Sequence, residues 1–129
     1  MNFTEHGLFK VKIEGKILLI DAIGPFNEEL IIKYKGALES CIQNLEVSKW
    51  NQIIILHKLS LFTPEAEQAL IQTLNNRRAR GLIACAIIFV DVEGESLIKA
   101  QMSHCYNKTD VKHQFMSSID DAKKWLATV

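Results

Sequence analysis

The chain has 129 residues, of which 48% are hydrophobic and 23% are charged, as in ordinary soluble globular domains. This length suits one domain that covers residues 1–129. Lysine and arginine together number 15, and so do aspartate and glutamate, so the formal net charge is zero. A neutral chain creates no long-range field that attracts nucleic acid or an anionic membrane surface, which argues against both kinds of partner.

The apolar runs and the cysteines indicate where the protein works. The longest apolar run, Leu82–Val90, is far shorter than the roughly 20 residues that cross a bilayer. Residues Met1–His6 lack the basic start and apolar centre of a signal peptide. Cys41, Cys85 and Cys105 are an odd number without close spacing, and the first two lie in apolar patterns typical of the core. We therefore expect a cytoplasmic protein without a membrane span.

The N-terminal part predicts an antiparallel hairpin followed by a helix. Apolar and charged residues alternate over Phe9–Glu14, which is typical of a strand with one exposed face. Gly15 suits a tight turn, and the apolar run Ile17–Ile20 predicts a more central strand. Asn27 is a good N-cap for a helix whose apolar stripe extends over Leu30–Leu45.

The central stretch, Asn51–Asp91, predicts a strand–helix–strand unit. Ile53–Leu56 and Leu82–Val90 are apolar throughout, as strands of a parallel sheet are when both of their faces are covered. Between them, Thr63 is a suitable N-cap, and Pro64 is favourable at the first helical position. This unit predicts that the two apolar strands lie side by side in one buried sheet.

The C-terminal part predicts three further elements. A helix includes Leu97–Cys105, Val111–Met116 is a short edge strand, and Ser118 caps a closing helix. The complete order is ββαβαβαβα. Strands that alternate with helices predict a single-domain α/β fold: a mixed, mostly parallel β-sheet with an N-terminal hairpin and packed helices.

Polar residues at the predicted strand ends are the candidate site. Asp21, His57 and Asp91 each lie near the C-terminal end of a strand, where the loops of open α/β sheets usually form the ligand site. Contact of His57 with Asp21 or Asp91 would make an acid–base pair, although polar residues occur at strand ends by default. No nucleophile motif or glycine-rich phosphate loop accompanies them, so we expect a non-enzymatic binding site without a cofactor. The predicted binding residues are Asp21, Pro25, Phe26, Asn27, His57, Ser60, Thr63, Glu65 and Asp91.

Three other features have simpler explanations. His104 and His113 lie near Cys105, but their spacing matches no usual zinc pattern, so we expect no metal site. The arginines of Arg77–Arg80 would form an anion-binding patch, or they occupy the favourable negative end of a helix, which we prefer. Phe26 is either an exposed apolar contact or a hydrophobic staple that packs on the first helix.

The layout of the chain resembles the STAS domain. The features that carry the resemblance are the N-terminal hairpin, the first helix, the buried strand, the loop Leu59–Phe62 and a capped helix that ends at Arg77–Gly81. The segment Phe115–Leu126 is similar to the closing segment of the bacterial SpoIIAA-like branch of this family, which includes anti-sigma factor antagonists. The resemblance implies a cytoplasmic regulatory domain that binds a protein partner or a second copy of itself.

The resemblance also implies a candidate phosphorylation site. In that family a serine or threonine at the start of the second main helix accepts a phosphate, and the corresponding residue here is Thr63, with Ser60 as a second exposed hydroxyl in the same loop. Thr63 as a plain N-cap is the alternative. Glu65 and Glu67 would repel an added phosphate, which favours the cap. A module that binds a small apolar ligand or an anion at the strand ends is the alternative function.

Overall fold

The computed structural model describes residues 8–129, so the expectation about Met1–His6 lies outside the described part of the chain. None of the helices in residues 8–129 is both long enough and apolar enough to cross a membrane. The strands are β1 Leu8–Glu14, β2 Ile17–Ile23, β3 Trp50–Lys58, β4 Leu82–Val92 and β5 Lys112–Met116. The helices are α1 Glu28–Leu45, α2 Pro64–Ala79, α3 Glu95–Asn107 and α4 Ile119–Leu126.

The strands form one five-stranded sheet in the order β1-β2-β3-β4-β5. β1 and β2 are antiparallel, and every later neighbour is parallel. The predicted α/β fold, with its N-terminal hairpin and mostly parallel sheet, is therefore confirmed. The segment predicted as an edge strand forms β5, and the two apolar strands β3 and β4 pair along their length.

The predicted helix caps follow from side chains that satisfy free backbone amides. Asn27 Oδ1 accepts a hydrogen bond from the Leu30 amide at 2.9 Å, and Thr63 Oγ1 accepts one from Ala66 at 3.1 Å. Ser118 Oγ does the same for α4 at 3.1 Å. The helices α1, α2 and α4 therefore each begin at the residue after the predicted cap.

The two faces of the sheet are covered very differently. α1, α2 and α3 lie on one face, where residues such as Leu38 and Leu74 pack with Leu18, Leu56 and Ile87 of the sheet. The other face carries a smaller core cluster that includes α4, an eight-residue helix that packs mainly on β3, β4 and β5. Such a short helix cannot cover a five-stranded sheet, so among residues 8–129 part of this face over β1 and β2 has no helix on it.

The arginines at the end of α2 have separate partners. Arg80 binds both carboxylate oxygens of Glu39 at 2.9 and 2.8 Å and Glu46 at 2.5 Å, which holds the end of α2 to α1. These hydrogen bonds lower the pKa of both glutamates. Arg77, by contrast, points into the core, while Arg78 stays exposed. The three side chains thus do not make one anion-binding patch.

Candidate functional site

The structure brings two of the predicted residues together, Asp21 of β2 and His57 of β3. The carboxylate oxygen Oδ1 of Asp21 lies 2.5 Å from Nε2 of His57. The parallel register pairs Asp21 with Ile55, so His57 is the next residue along β3 that points to the same face of the sheet. Both side chains are partly exposed, at the C-terminal ends of their strands.

The contact with Asp21 determines what the imidazole of His57 offers to a ligand. A neutral ring that donates from Nε2 leaves Nδ1 as an acceptor. Within residues 8–129, Nδ1 has no hydrogen-bond partner. Asp21 in turn receives a hydrogen bond that fixes the direction of its carboxylate. The pair is thus a polar group of fixed orientation on a partly solvated sheet face.

Ser60 holds the backbone on both sides of this pair. Its Oγ donates to the carbonyl oxygen of His57 at 2.6 Å and accepts from the amide of Gly24 at 3.2 Å. A Cβ on Gly24 would lie 2.7 Å from the Cα of Ser60, so the loops after β2 and β3 touch closely. Ser60 is completely buried, and the prediction of an exposed hydroxyl is wrong because both its donor and its acceptor are used inside the fold.

The neighbouring loop residues form a separate surface. Phe26 is buried, and its ring lies 6.2 Å from that of Tyr34 on α1 and 4.7 Å from that of Phe62, which favours the staple alternative over an exposed contact. Pro25, Asn27 and Thr63 are exposed, and so is Glu65 in the first turn of α2. Asn27 and Thr63 both serve as N-caps. These side chains surround the starts of α1 and α2, and among the described residues no hydrogen bond or ion pair joins them to the Asp21–His57 pair.

Asp91 does not join the pair either. Among the described residues, no hydrogen bond or ion pair connects Asp91 to Asp21 or His57. Asp91 is the extra residue at a bulge, because the register passes from the pair His57–Val90 to the pair Lys58–Val92. Asp91 and Lys58 both have positive φ, 51° and 52°, so the backbone is strained at two adjacent strand ends.

A groove of about 410 Å³ lies on the open part of the α4 face, and we call it the sheet groove. Asp21 contributes to its wall, and the apolar side chains of Leu19 on β2, Ile55 on β3 and Ile119 at the start of α4 line it as well. The charged residues of β1 point to the same face, because Lys10 pairs with Asp21 and Lys12 pairs with Leu19. The residues that line the groove are Lys10, Val11, Lys12, Glu14, Leu19, Ile20, Asp21, Ile55 and Ile119.

An ion-pair chain joins β1 to α4 at the other end of the groove. Glu14 lies 2.6 Å from Nζ of Lys123 and 3.0 Å from Nζ of Lys12. Hydrogen bonds from Lys123 and then Lys12 lower the pKa of Glu14. Because these groups are exposed, the two ion pairs orient side chains along the groove and add little to the stability of the protein.

Two of the three cysteines are buried thiols that stay protonated. Burial raises the pKa of the Cys85 thiol to about 11 and that of Cys105 to about 12, so neither forms a thiolate at neutral pH. Within residues 8–129, no cluster of three or more histidine, cysteine, aspartate or glutamate side chains is arranged to hold a metal ion. What this site offers chemically is an oriented carboxylate beside an apolar groove.

Comparisons with known proteins found no relative of this chain. No protein-family model, no curated protein and no solved structure matches the chain. The resemblance to STAS domains therefore remains a prediction from the order and spacing of elements, and the site is interpreted from its own geometry.

Proposed function

We propose that this protein is a binding module for a small, largely apolar molecule with one polar end, which it holds in the sheet groove. The observation that carries the proposal is a groove of about 410 Å³ with an apolar floor beside the Asp21–His57 pair. Its volume falls in the range of ligand sites, roughly 300–1,000 Å³, and such sites combine apolar walls with a few placed polar groups. It extends over the middle of β2 and β3, from Glu14 at one end to Asp21 at the other. Its Asp21 end is the one nearer the carboxyl ends of the strands, where open α/β sheets usually bind ligands.

The charges around the groove favour a ligand whose polar end is singly negative. At the end of the groove away from Asp21, Lys12 and Lys123 share the single carboxylate of Glu14, which leaves a small positive excess at that end. An anionic end is attracted to the β1 side of the groove and kept away from Asp21. The apolar body of the ligand then covers the floor, where each methylene group that leaves water contributes about 0.8 kcal/mol.

Binding without catalysis is the form of this function that the side chains support. Ser60, the hydroxyl nearest to His57 in sequence, donates to the His57 carbonyl and is fully buried. It therefore cannot act as a nucleophile activated by the imidazole. His57 instead orients Asp21, which lines the groove.

The test uses the fluorescent probe 1-anilinonaphthalene-8-sulfonate, which has an apolar body and one anionic end. We expect saturable binding to the wild-type protein. Ile119→Glu places a carboxylate at the groove wall and is expected to weaken binding by about tenfold or more, the equivalent of roughly 1.4 kcal/mol. Fluorescence titration measures the affinity for the probe, and NMR shift mapping shows which residues the probe contacts.

Leu97→Glu is the matched control for this test. Leu97 and Ile119 are both exposed apolar residues, at 55% and 37%, in the first turn of a helix, where a carboxylate suits the helix dipole. Leu97 lies on α3, on the opposite face of the sheet. Equal weakening by both substitutions, or shift changes confined to residues outside the groove, would contradict the proposal.

A second candidate function is supported by the surface around the start of α2. Pro25 and Asn27 are exposed on one loop, and Thr63 and Glu65 are exposed at the end of the next. Backbone hydrogen bonds fix the two loops to each other, from Thr63 N to Phe26 O at 3.1 Å and from Phe26 N to Leu61 O at 2.8 Å. A rigid surface loses little conformational entropy on binding, and the STAS resemblance suggests a protein partner here, for which a second copy of this chain is the candidate.

Charge reversal tests this second function. If two copies associate through the start of α2, Glu65→Lys should shift sedimentation equilibrium towards the monomer. Glu95→Lys, in the first turn of α3, disturbs a helix dipole in the same way and should leave association unchanged. A wild-type protein that stays monomeric at all accessible concentrations would exclude self-association at this surface.

A further inference from the structure

A buried arginine lies on the other face of the sheet, under α2. Arg77 is only 5% exposed, and its Nη1 donates to Oε1 of Gln52 at 2.8 Å. Its Nε is buried and has no partner among residues 8–129. No carboxylate of the described chain forms an ion pair with it. Arg77 therefore places a cation in the core without a visible counter-charge.

This arrangement is costly unless a negative group balances it. Burial lowers the pKa of Arg77, yet a guanidinium stays protonated in proteins because its ordinary pKa is so high. A buried charge is usually paired, since removal of an ion from water costs several kcal/mol. Gln52 supplies one neutral acceptor, and its amide nitrogen lies 3.3 Å from Cys85 Sγ and 3.4 Å from the hydroxyl of Tyr106. This network accounts for Nη1 and leaves Nε unexplained.

Tyr34, which lines the same space as Arg77, carries a second buried polar group. Arg77 lines a small cavity of about 50 Å³ between the sheet, α1 and α2, and Tyr34 of α1 lines it as well. The hydroxyl of Tyr34 is buried and has no partner among the described residues. Burial raises the pKa of Tyr34, so its hydroxyl stays protonated and available as a donor. Most of the other lining residues are apolar.

We infer that this cavity is a binding site for a small monovalent anion, a halide or a short carboxylate such as acetate, held by Arg77 Nε and the hydroxyl of Tyr34. Both groups donate hydrogen bonds, and hydrogen bonds from a charged donor are strong where the surrounding side chains are mostly apolar. One water molecule needs about 10–15 Å³ of such volume, so the cavity holds only a few non-hydrogen atoms. The anion would supply the hydrogen-bond partner that Arg77 Nε and the hydroxyl of Tyr34 both lack among the described residues.

The site is independent of the sheet groove, because the two lie on opposite faces of the sheet. Loss of one binding activity therefore says nothing about the other. The inference also differs from a purely structural role of Arg77, which predicts that the identity of the dissolved anion has no effect. Bromide is the suitable probe, since its anomalous scattering locates it without ambiguity.

The first experiment is a crystal structure of the full chain grown in sodium bromide. We expect an anomalous peak in the cavity, within hydrogen-bond distance of Arg77 Nε and of the hydroxyl of Tyr34. Ordered water alone in the cavity would overturn the inference, as would bromide bound only at surface positions.

The second experiment measures thermal unfolding in sodium bromide and in sodium acetate, each against sodium gluconate at equal ionic strength. We expect a saturable rise of Tm with bromide, and with acetate if the cavity also admits a carboxylate. Tyr34→Phe removes only the hydroxyl and should weaken the apparent affinity by about tenfold. Equal responses of the wild type and Tyr34→Phe would overturn the inference.

A pair of arginine variants completes the test. Arg77→Gln should abolish the response to bromide, while Arg78→Gln, which removes an exposed cation from the same helix, should preserve it. If Arg77→Gln does not fold, Tyr34→Phe and Arg78→Gln still decide the question. If the rise of Tm with bromide is lost in Arg78→Gln and kept in Tyr34→Phe, bromide binds at the surface, and the proposal of a buried site is contradicted.

Discussion

Gly24→Ala is expected to destabilise the protein by about 1–3 kcal/mol, and to disturb the Asp21–His57 pair as well. A Cβ at this position would lie 2.7 Å from the Cα of Ser60 and 2.9 Å from the carbonyl oxygen of Leu59. Both are backbone atoms, so no side-chain rotation relieves the clash, and the loops after β2 and β3 must separate. Their separation breaks the hydrogen bond from the Gly24 amide to Ser60, which otherwise fixes the backbone at His57.

Gly36→Ala is the control for this prediction. Gly36 lies inside α1, and a Cβ there would meet none of the described atoms within 4 Å. Alanine should stabilise this helix by about 0.5–1 kcal/mol. Urea unfolding gives the two stability changes, and the NMR signals of the His57 ring report on the pair. Wild-type stability and unchanged ring signals in Gly24→Ala would show that the two loops are not held as described.

The fold was predictable from sequence because its signals are local. The alternation over Phe9–Glu14, the continuous apolar runs of β3 and β4, and the caps at Thr63 and Ser118 each depend on a few neighbouring residues. Parallel neighbours then follow from the alternation of strands and helices. The short β5 was the least marked strand, and its apolar residues Phe115 and Met116 are only partly buried against the core.

The site was predictable only in part, because its geometry depends on contacts between distant segments. The strand-end rule brought Asp21 and His57 together, since carboxyl ends of parallel strands share one edge of the sheet. It could not show that α4 packs mainly on β3, β4 and β5, so Lys10 and Lys12 were not predicted as part of the groove. The alternation along β1 does place Lys10 and Lys12 on one face of the strand. Together with the pairing of Lys10 and Asp21 in the hairpin, this alternation would have placed both lysines on the face that carries Asp21.

Two polar residues show why burial was the hardest property to predict. Ser60 and Arg77 are types that are usually exposed, and nothing in their immediate sequence marks them as buried. Their partners are remote: Gly24 is 36 residues from Ser60, and Gln52 is 25 residues from Arg77. Only the assembled fold shows that these partners are in reach. A sequence pattern therefore does not predict the burial of Ser60 between the loops or that of Arg77 in the core.

Trp50→Ala should have the largest effect on stability, about 3–5 kcal/mol, which is a large share of the 5–15 kcal/mol that stabilises a typical domain. Trp50 is 1% exposed at the start of β3, and its Nε1 donates to the carbonyl oxygen of Arg80 at 2.9 Å. Its backbone amide also donates to Gly81 at 3.0 Å. Alanine leaves a large cavity between the end of α2 and the starts of β3 and β4.

Two further variants separate the causes of this loss. Trp50→Phe retains most of the buried volume and loses the indole hydrogen bond, so we expect a cost of about 1–2 kcal/mol. Trp125→Ala, on α4, removes a tryptophan that is only partly buried and should cost less than Trp50→Ala. Circular dichroism in urea is the suitable measurement, because the fluorescence of the protein changes with each tryptophan that is removed.

The position of Trp50 distinguishes a loss of stability from a loss of the site. Seven residue steps of extended strand, about 23 Å, separate Trp50 from His57 near the other end of β3. Folded Trp50→Phe should therefore keep the His57 ring signals and the binding of the fluorescent probe, whereas Gly24→Ala should disturb them. If Trp50→Phe changed the pair as strongly as Gly24→Ala, the geometry of the site would depend on the whole sheet and not on the contact between the two loops.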